Sequence, residues 1–277
     1  LLLSLWLGPF VIRWLRGLRV RQEYEDRARQ IVETLAREGI LHLAVPSLYG
    51  GSHPEADVRG VCLVREALAR VHLTADFVFG TQANGTYLVA QSASEPFKTE
   101  VLDRIVEGKS LAAFAAVEPD AGSALAGIRC SARRTSQAYF LDGVKSWVSM
   151  AGLADEYVVF ARTDPHPTDG ISAFFVSARS EGLRVESGPP MTAPVPMGSL
   201  HLEGVRVPRA HRLGEEGAGY RLAQQTLDHF RPAAGASALG LAGRALGEAR
   251  RHLESRRQFG RRLADYQALR FAYAEMT

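Results

Sequence analysis

The hydrophobic period of this chain changes twice, and few folds accept both changes. Up to about residue 110 apolar residues recur at helical spacing. "YEDRARQIVETLAREG" puts Tyr24, Ala28, Ile31 and Leu35 on one face and stops at Gly39, a residue suited to the left-handed position after a helix. Asp57 is placed to cap "VRGVCLVREALAR", and Glu95-Pro96 opens "FKTEVLDRIVEG", which ends at Gly108. Between them "LHLAVPSLYGG" (41–51) is a connector with Pro and Gly at its bends. From about residue 111 the period falls to two. "YFLDGVKSWV" (139–148) predicts a hairpin at Asp142-Gly143. "SLHLEGVRVP" (199–208) predicts another around Glu203-Gly204, with Leu200, Leu202, Val205 and Val207 facing the same way. With "EYVVFAR", "ISAFFVSA" and "LRVES" the pattern predicts a small antiparallel barrel or sandwich. After Leu213 the helical period returns over 219–257, with Pro232 expected to kink the helix and abundant Ala and Gly allowing close packing. Phe259-Gly260 breaks this helix, and "RRLADYQALRFAYAEM" begins another that reaches Met276-Thr277 without a cap.

The expectation is an α+β multidomain chain. Residues 1–110 form a helical domain, 111–213 a middle β-domain, and 214–277 an incomplete C-terminal helical domain. A chain of 277 residues, 46% hydrophobic and 23% charged, is globular and long enough for a sizeable core. The net charge of +3 is carried almost entirely by arginine, since only Lys98, Lys109 and Lys145 are lysines. Basic residues interleave with acids, as in "RQEYEDRAR" (21–29), which describes solvated helix faces and argues against nucleic-acid binding. Cys62 and Cys130 are isolated, which predicts a reducing, cytoplasmic compartment without disulfides. The eight histidines show no HxxxH or HExxH spacing, so no metal site is expected. In "LLLSLWLGPFVIRWLRGL" (1–18), Gly8-Pro9 breaks the apolar run and Arg13 and Arg16 interrupt it. It is read as a first helix packed on its own domain or as the product of a truncated frame, not as a membrane span.

Four segments carry the chemistry. In "AAFAAVEPDAGSALAGI" (112–128) an apolar run stops at Glu118-Pro119 and small residues follow. That is either a surface turn or a place where a ligand approaches the main chain, and the residues alone leave both open. "KSWVSM" (145–150) holds Trp147, which by itself reads as a core aromatic between strands. "LDHFRP" (227–232) sits in the long helix, and "RRQFG" (256–260) with Gln267 closes the pattern.

This order of domains, with these segments in sequence, resembles the acyl-CoA dehydrogenase family of flavoproteins over roughly residues 20 to 277. The resemblance implies FAD held between the middle and C-terminal domains, a homodimer or homotetramer, and α,β-dehydrogenation of an acyl-CoA thioester. Electrons then leave to an electron-transfer flavoprotein. It further implies that main-chain groups around Phe114, Ala116 and Val117 bond the flavin's pyrimidine edge. Ser123 sits at both cofactor and the substrate's pantetheine. Two departures stand out: Val117 replaces a threonine whose hydroxyl bonds the flavin in many members, and Ala124 replaces an aspartate. "KSWVSM" resembles K-x-W-I-[ST]-N, so that within Trp147-Val148-Ser149 the Trp147 ring packs on the isoalloxazine and the Ser149 hydroxyl meets the nitrogen that receives hydride. "RRQFG" and Gln267 resemble R-x-x-F-G…Q. Arg256 then serves the pyrophosphate of a neighbouring subunit's FAD, Tyr266 and Gln267 its adenosine half, and Gln258 and Phe259 count among the cofactor-binding residues. Asp228 and Arg231 correspond to the segment that meets CoA, and Phe230 beside them stands where a minority of members carry the catalytic glutamate. A phenyl ring cannot take a proton, so the base is expected beyond Thr277. Flavin-dependent oxidase or monooxygenase chemistry on the same fold, and a truncated relative without turnover, are the alternatives.

Overall fold

The computed structural model describes residues 27–189, 191 and 195–277. Tyr24, and the reading given above to residues 1–18, lie outside them. The first helix, α1, is described over 27–37, with Ala28, Val32 and Leu35 buried, and Gly39 takes a φ of 71° after it. Helix α2 (Val58–Val71) starts at Asp57, whose carboxylate accepts the Arg59 amide at 3.1 Å. Helix α4 (Glu95–Val106) follows the period read from the sequence. Helix α3 (Leu73–Ser92) does not announce itself by a polar and an apolar side, because it is buried nearly all round. Two polar residues fix its position. Gln82 donates to the Ser110 carbonyl and accepts the Ala112 amide, both at 2.8 Å. Asp76, also buried, takes Arg65 of α2 at 2.8 and 3.0 Å.

The middle of the chain forms one eight-stranded sheet. Its strands are β1 (Ala112–Ala115), β2 (Ser131–Arg134), β3 (Ala138–Ser149), β4 (Glu156–Arg162), β5 (Ile171–Ser177), β6 (Leu183–Ser187), β7 (Met197–Pro208) and β8 (Arg212–Leu213). The order is β6-β7-β3-β2-β4-β5-β8, with β1 beside β4. Pairing is not wholly antiparallel: β1 and β2 both run parallel to β4. Neither expected hairpin forms. Asp142-Gly143 lies inside β3 and Glu203-Gly204 inside β7, and the two segments face each other. Register moves from Leu141↔Val205 to Gly143↔Leu202, so Asp142 alone opposes Glu203 and Gly204. Gly204 adopts φ 61° and its amide donates to Asp142 Oδ1 at 2.7 Å. A left-handed glycine can close a turn or make a bulge, and two long antiparallel strands choose the bulge. The extra residue restores the phase of β7, which is why Leu200, Leu202, Val205 and Val207 are all buried despite their uneven spacing.

Helix α5 (Gly219–Ser255) runs through Pro232 and packs chiefly on α2. A Cβ on Gly240 would lie 2.2 Å from the Glu66 carbonyl oxygen, so glycine sets that closest approach. Ser237 of α5 donates to Asp76 at 2.6 Å, completing a buried tie between α2, α3 and α5. Beyond α5, β9 (Arg257–Gln258) and β10 (Arg261–Arg262) form a small ribbon before α6 (Gln267–Glu275).

Helix α4 meets the sheet through rings. His211 stacks on Phe97 at 4.3 Å, and Phe97 sets its edge on Phe175. Burial pushes the His211 imidazole below its ordinary 6.5, against the opposing pull of Glu100. A histidine with a depressed folded value contributes stability that is present above pH 6.5 and lost as pH falls below it. His211→Phe keeps a ring in the stack without the charge. It should flatten the fall in thermal midpoint between pH 6.5 and 5. An unchanged pH dependence would mean that this contact does not carry the effect.

Candidate functional site

The loop after β1 is tied down from inside the protein. Glu118 and Ala121 exchange backbone hydrogen bonds of 3.0 and 3.1 Å. The Glu118 carboxylate, buried, accepts the amides of Arg129 at 2.6 Å and Cys130 at 3.0 Å. It also takes Lys145 Nζ at 2.7 Å, and that lysine, 0% exposed, reaches the Ala116 carbonyl at 3.3 Å. One residue on, the Ser146 amide donates to the Val117 carbonyl at 2.9 Å. The polar face of this small segment is therefore spent on fixing the β1 loop against β3.

The opposite side of that loop is open. A cleft of about 330 Å³ lies between the sheet and the helices. Phe114, Ala116, Val117 and Ser123 line it from the β1 segment, and Trp147 and Ser149 from β3. Helix α5 adds Arg231, so seven residues selected from the sequence meet at one place. Gly122 also faces the cleft, and a Cβ there would touch nothing within 4 Å. The protein's own packing does not demand glycine at 122. Glycine at 122 leaves the backbone beside the cleft uncovered, which suits a ligand approaching the main chain.

Trp147 is not a core residue. β3 and β7 lose register between Lys145 and Val148, and Trp147 sits in that interruption with φ 54°. It is 57% exposed, whereas Val148 beside it is buried in the core. A left-handed tryptophan is strained, and strain of about 1–3 kcal/mol is held where surroundings or function require it. Here it swings an indole out of the sheet and over the cleft.

The cleft walls carry polar side chains that the protein leaves uncommitted. Thr81 and Asn84 of α3, Gln224 of α5, and Ser123, Ser146 and Ser149 have no side-chain hydrogen bond to any described residue. No aspartate, glutamate or histidine is among the described lining residues. Such a wall offers hydrogen-bonding groups to a polar ligand but holds no carboxylate for proton transfer. No pattern in the sequence points to Thr81 and Asn84, because α3 has no distinct face. Leu227 and Gln224 lie one and two turns before Arg231, a helical spacing that could have found them.

Other expected residues lie elsewhere. Asp228 forms an ion pair with Arg231 but lines a second pocket, of about 350 Å³, with Tyr87 and His229. Phe230 does not face the cleft. It is 6% exposed, and its ring sets its edge against Tyr87 at 5.4 Å and His229 at 4.9 Å. Helical rotation explains this: with Arg231 turned to the cleft, the preceding residue points about 100° away, into the core. Phe230, expected to meet the substrate, thus packs in the core and is absent from the cleft lining. Arg256, Gln258, Phe259, Tyr266 and Gln267 are absent from the cleft and grouped around the β9–β10 ribbon. Phe259, at its tip with φ 50°, is 94% exposed. Tyr266 donates to the Gln258 carbonyl at 3.0 Å, and the Arg256 guanidinium has no partner among the described residues.

A helical domain, a β-domain and a further helical domain in this order are the architecture of one class of flavoproteins, and the chain belongs to the acyl-CoA dehydrogenase family. The family's models match in chain order: the N-terminal domain over residues 15–109, the middle domain over 113–205 and the C-terminal domain over 217–277. The chain is 34% identical over 266 residues to "Probable acyl-CoA dehydrogenase FadE25" of Mycobacterium tuberculosis, covering 92% of this chain and 66% of that protein. It is 33% identical over 261 residues to "Caffeyl-CoA reductase-Etf complex subunit CarC" of Acetobacterium woodii, covering 92% and 68%. The solved structure of butyryl-CoA dehydrogenase from Megasphaera elsdenii superposes with a TM-score of 0.84 at 29% identity, covering 93% of this chain and 74% of that one. The chain thus spans about two thirds of the length of the curated relatives it matches. Among the described residues no helix is long and apolar enough to cross a membrane.

Proposed function

We propose that this protein binds FAD and takes part in the α,β-dehydrogenation of an acyl-CoA thioester. The observation that carries the reading is the cleft: a strained indole and six uncommitted polar side chains around a glycine that the fold itself does not need. Main-chain groups of Phe114, Ala116 and Val117 would hold the flavin's ring edge, and Ser123 would meet cofactor and pantetheine. Trp147 would cover the ring, with the backbone at Val148 continuing that wall. Ser149 would donate its hydroxyl where negative charge accumulates, the position at which a preorganised donor has most effect. When bound, FAD supplies a two-electron acceptor for the β-hydrogen. Arg231, held by Asp228, would face the CoA moiety. Since the described walls carry no acid, the group that takes the α-proton would come from outside them.

The exposed ribbon supports a second copy of the chain as partner. Arg256 and Gln258, with Phe259, Tyr266 and Gln267, would reach the pyrophosphate and adenosine of a neighbouring subunit's FAD in a homodimer or homotetramer. An electron-transfer flavoprotein would accept the electrons, and the relative's name "Caffeyl-CoA reductase-Etf complex subunit" supports that class of partner. Two free cysteines, Cys62 and Cys130, fit a cytoplasmic setting in acyl-CoA metabolism.

The test is the flavin itself. Protein denatured after reconstitution should release FAD, not FMN, because Arg256 and Gln267 have a role only with a dinucleotide. Arg256→Ala should lose the flavin with the sheet still folded. Mixed with Ser149→Ala subunits, it should regain one intact site per pair. Release of FMN would sink the cofactor assignment, and no gain in mixed oligomers would sink the shared site.

A further inference from the structure

We propose that Ser146 supplies the hydroxyl that residue 117 lacks, so that Ser146 Oγ is the side-chain donor to the flavin's ring edge; this rests on the reading of the cleft as an FAD site. Val117 lines the cleft but carries no donor. Ser146 lines the same cleft and is joined to Val117 directly, its amide donating to the Val117 carbonyl at 2.9 Å. The residue at 146 is thus held next to the position a hydroxyl at 117 would serve, and its Oγ has only to turn towards the cleft.

The Ser146 hydroxyl also has nothing else to do. The residue is 9% exposed, and its Oγ is sealed from solvent with no hydrogen-bond partner among the described residues. Buried hydroxyls without partners are uncommon and disfavoured, so each asks for an explanation. Three other buried polar atoms share this condition, on Thr86, Ser110 and His229, and none of those residues lines the cleft. The remaining uncommitted hydroxyls of the cleft, on Thr81, Ser123 and Ser149, are not sealed in this way. Local strand geometry accounts for the placement. Where β3 loses register with β7 between Lys145 and Val148, Ser146 is released from the ladder and turns to the β1 loop. A serine has one side-chain torsion with three staggered wells, so a residue in the cleft wall can bring Oγ to the cleft side by a single rotation.

The experiment is an exchange of hydroxyls, read by binding and not by turnover. Flavin is removed from the full chain, and FAD is titrated back while tryptophan fluorescence and flavin absorbance are followed. Ser146→Ala should raise the Kd for FAD about fivefold, the effect of one ordinary net hydrogen bond. Ser146→Cys preserves volume but donates weakly, so it should show the same loss if the hydroxyl matters and none if only packing does. Adding Val117→Thr to Ser146→Ala should bring the Kd back to within about twofold of the parent, because the donor returns from the other side of the Val117–Ser146 contact. The carbonyl stretch of bound flavin should rise in Ser146→Ala and return in the double variant. A parent-like Kd in Ser146→Ala, or no recovery with Val117→Thr, overturns the assignment. Failure of the parent itself to bind FAD would instead overturn the function on which it rests.

Discussion

Glu118→Ala is expected to destabilise the protein by about 3–5 kcal/mol, the cost of breaking a buried ion pair from one side. Lys145 is wholly buried and Glu118 nearly so, with 2.7 Å between them. Without the carboxylate, the ammonium keeps only the Ala116 carbonyl at 3.3 Å. The amides of Arg129 and Cys130 lose their acceptor as well, and each such orphan costs about 1–3 kcal/mol. These losses overlap at one site and do not add. Urea unfolding gives the measure. Glu118→Leu combined with Lys145→Met should lose less than Glu118→Ala, because no unpaired charge stays buried. An unfolding free energy for Glu118→Ala within about 0.5 kcal/mol of the parent would show that the pair does not hold this fold. The effect should reach the cleft too, since the carbonyls of Ala116 and Val117 are anchored by Lys145 and by the Ser146 amide. Flavin affinity and stability should therefore fall together in this variant, whereas Ser146→Ala separates them.

The contrast between these two neighbours shows what a sequence can and cannot reveal. The switch from helical to strand period near residue 111 and back after Leu213 is a property of every residue in those stretches, and it set the architecture. The motifs that carry the family resemblance brought Phe114, Val117, Trp147 and Ser149 to one wall. Asp142-Gly143 and Glu203-Gly204 misled because a left-handed glycine is common to turns and bulges, and only the partner strand decides between them. Trp147 alone reads as core because alternation assumes an unbroken ladder; the lost register between Lys145 and Val148 reverses it. Thr81 and Asn84 were invisible for another reason. A helix buried on all sides has no periodic face, so nothing in α3 distinguishes a cleft residue from a packing one. Ser146 occupies the variable position of the K-x-W motif, so no pattern marks it. Its role depends on a missing partner, and a missing partner is visible only in three dimensions.

Phe230→Glu is expected to destabilise the protein instead of giving it a base. By family resemblance this position could carry the proton acceptor, and a carboxylate there would then act on the substrate. In the structure the Phe230 ring is 6% exposed and packed edge-on against Tyr87 and His229 within the core. Replacing it removes a ring whose truncation typically costs about 3–5 kcal/mol and puts a carboxyl in its place. Burial disfavours the charged form, so the introduced acid should titrate above the ordinary glutamate value of about 4.3. An acid with a raised folded value is least harmful while protonated in both states. Its penalty is absent below about pH 4.3 and grows as pH rises towards the folded value. Phe230→Glu should accordingly lose stability relative to the parent as pH climbs from 4 to 7, by up to about 1.4 kcal/mol for each unit by which the value is raised. His229 at 4.9 Å could offset part of this by taking a proton, although burial already pushes that imidazole down. Phe230→Gln separates the contributions: it loses the same ring and adds a polar group but cannot ionise, so its deficit should be flat with pH. Urea midpoints of the three proteins across that range decide the matter. A Phe230→Glu variant as stable as the parent at pH 7, with its flavin bleached by acyl-CoA under anaerobic conditions, would show the carboxylate swinging out of the core to the cleft. It would restore position 230 as a working site for the base.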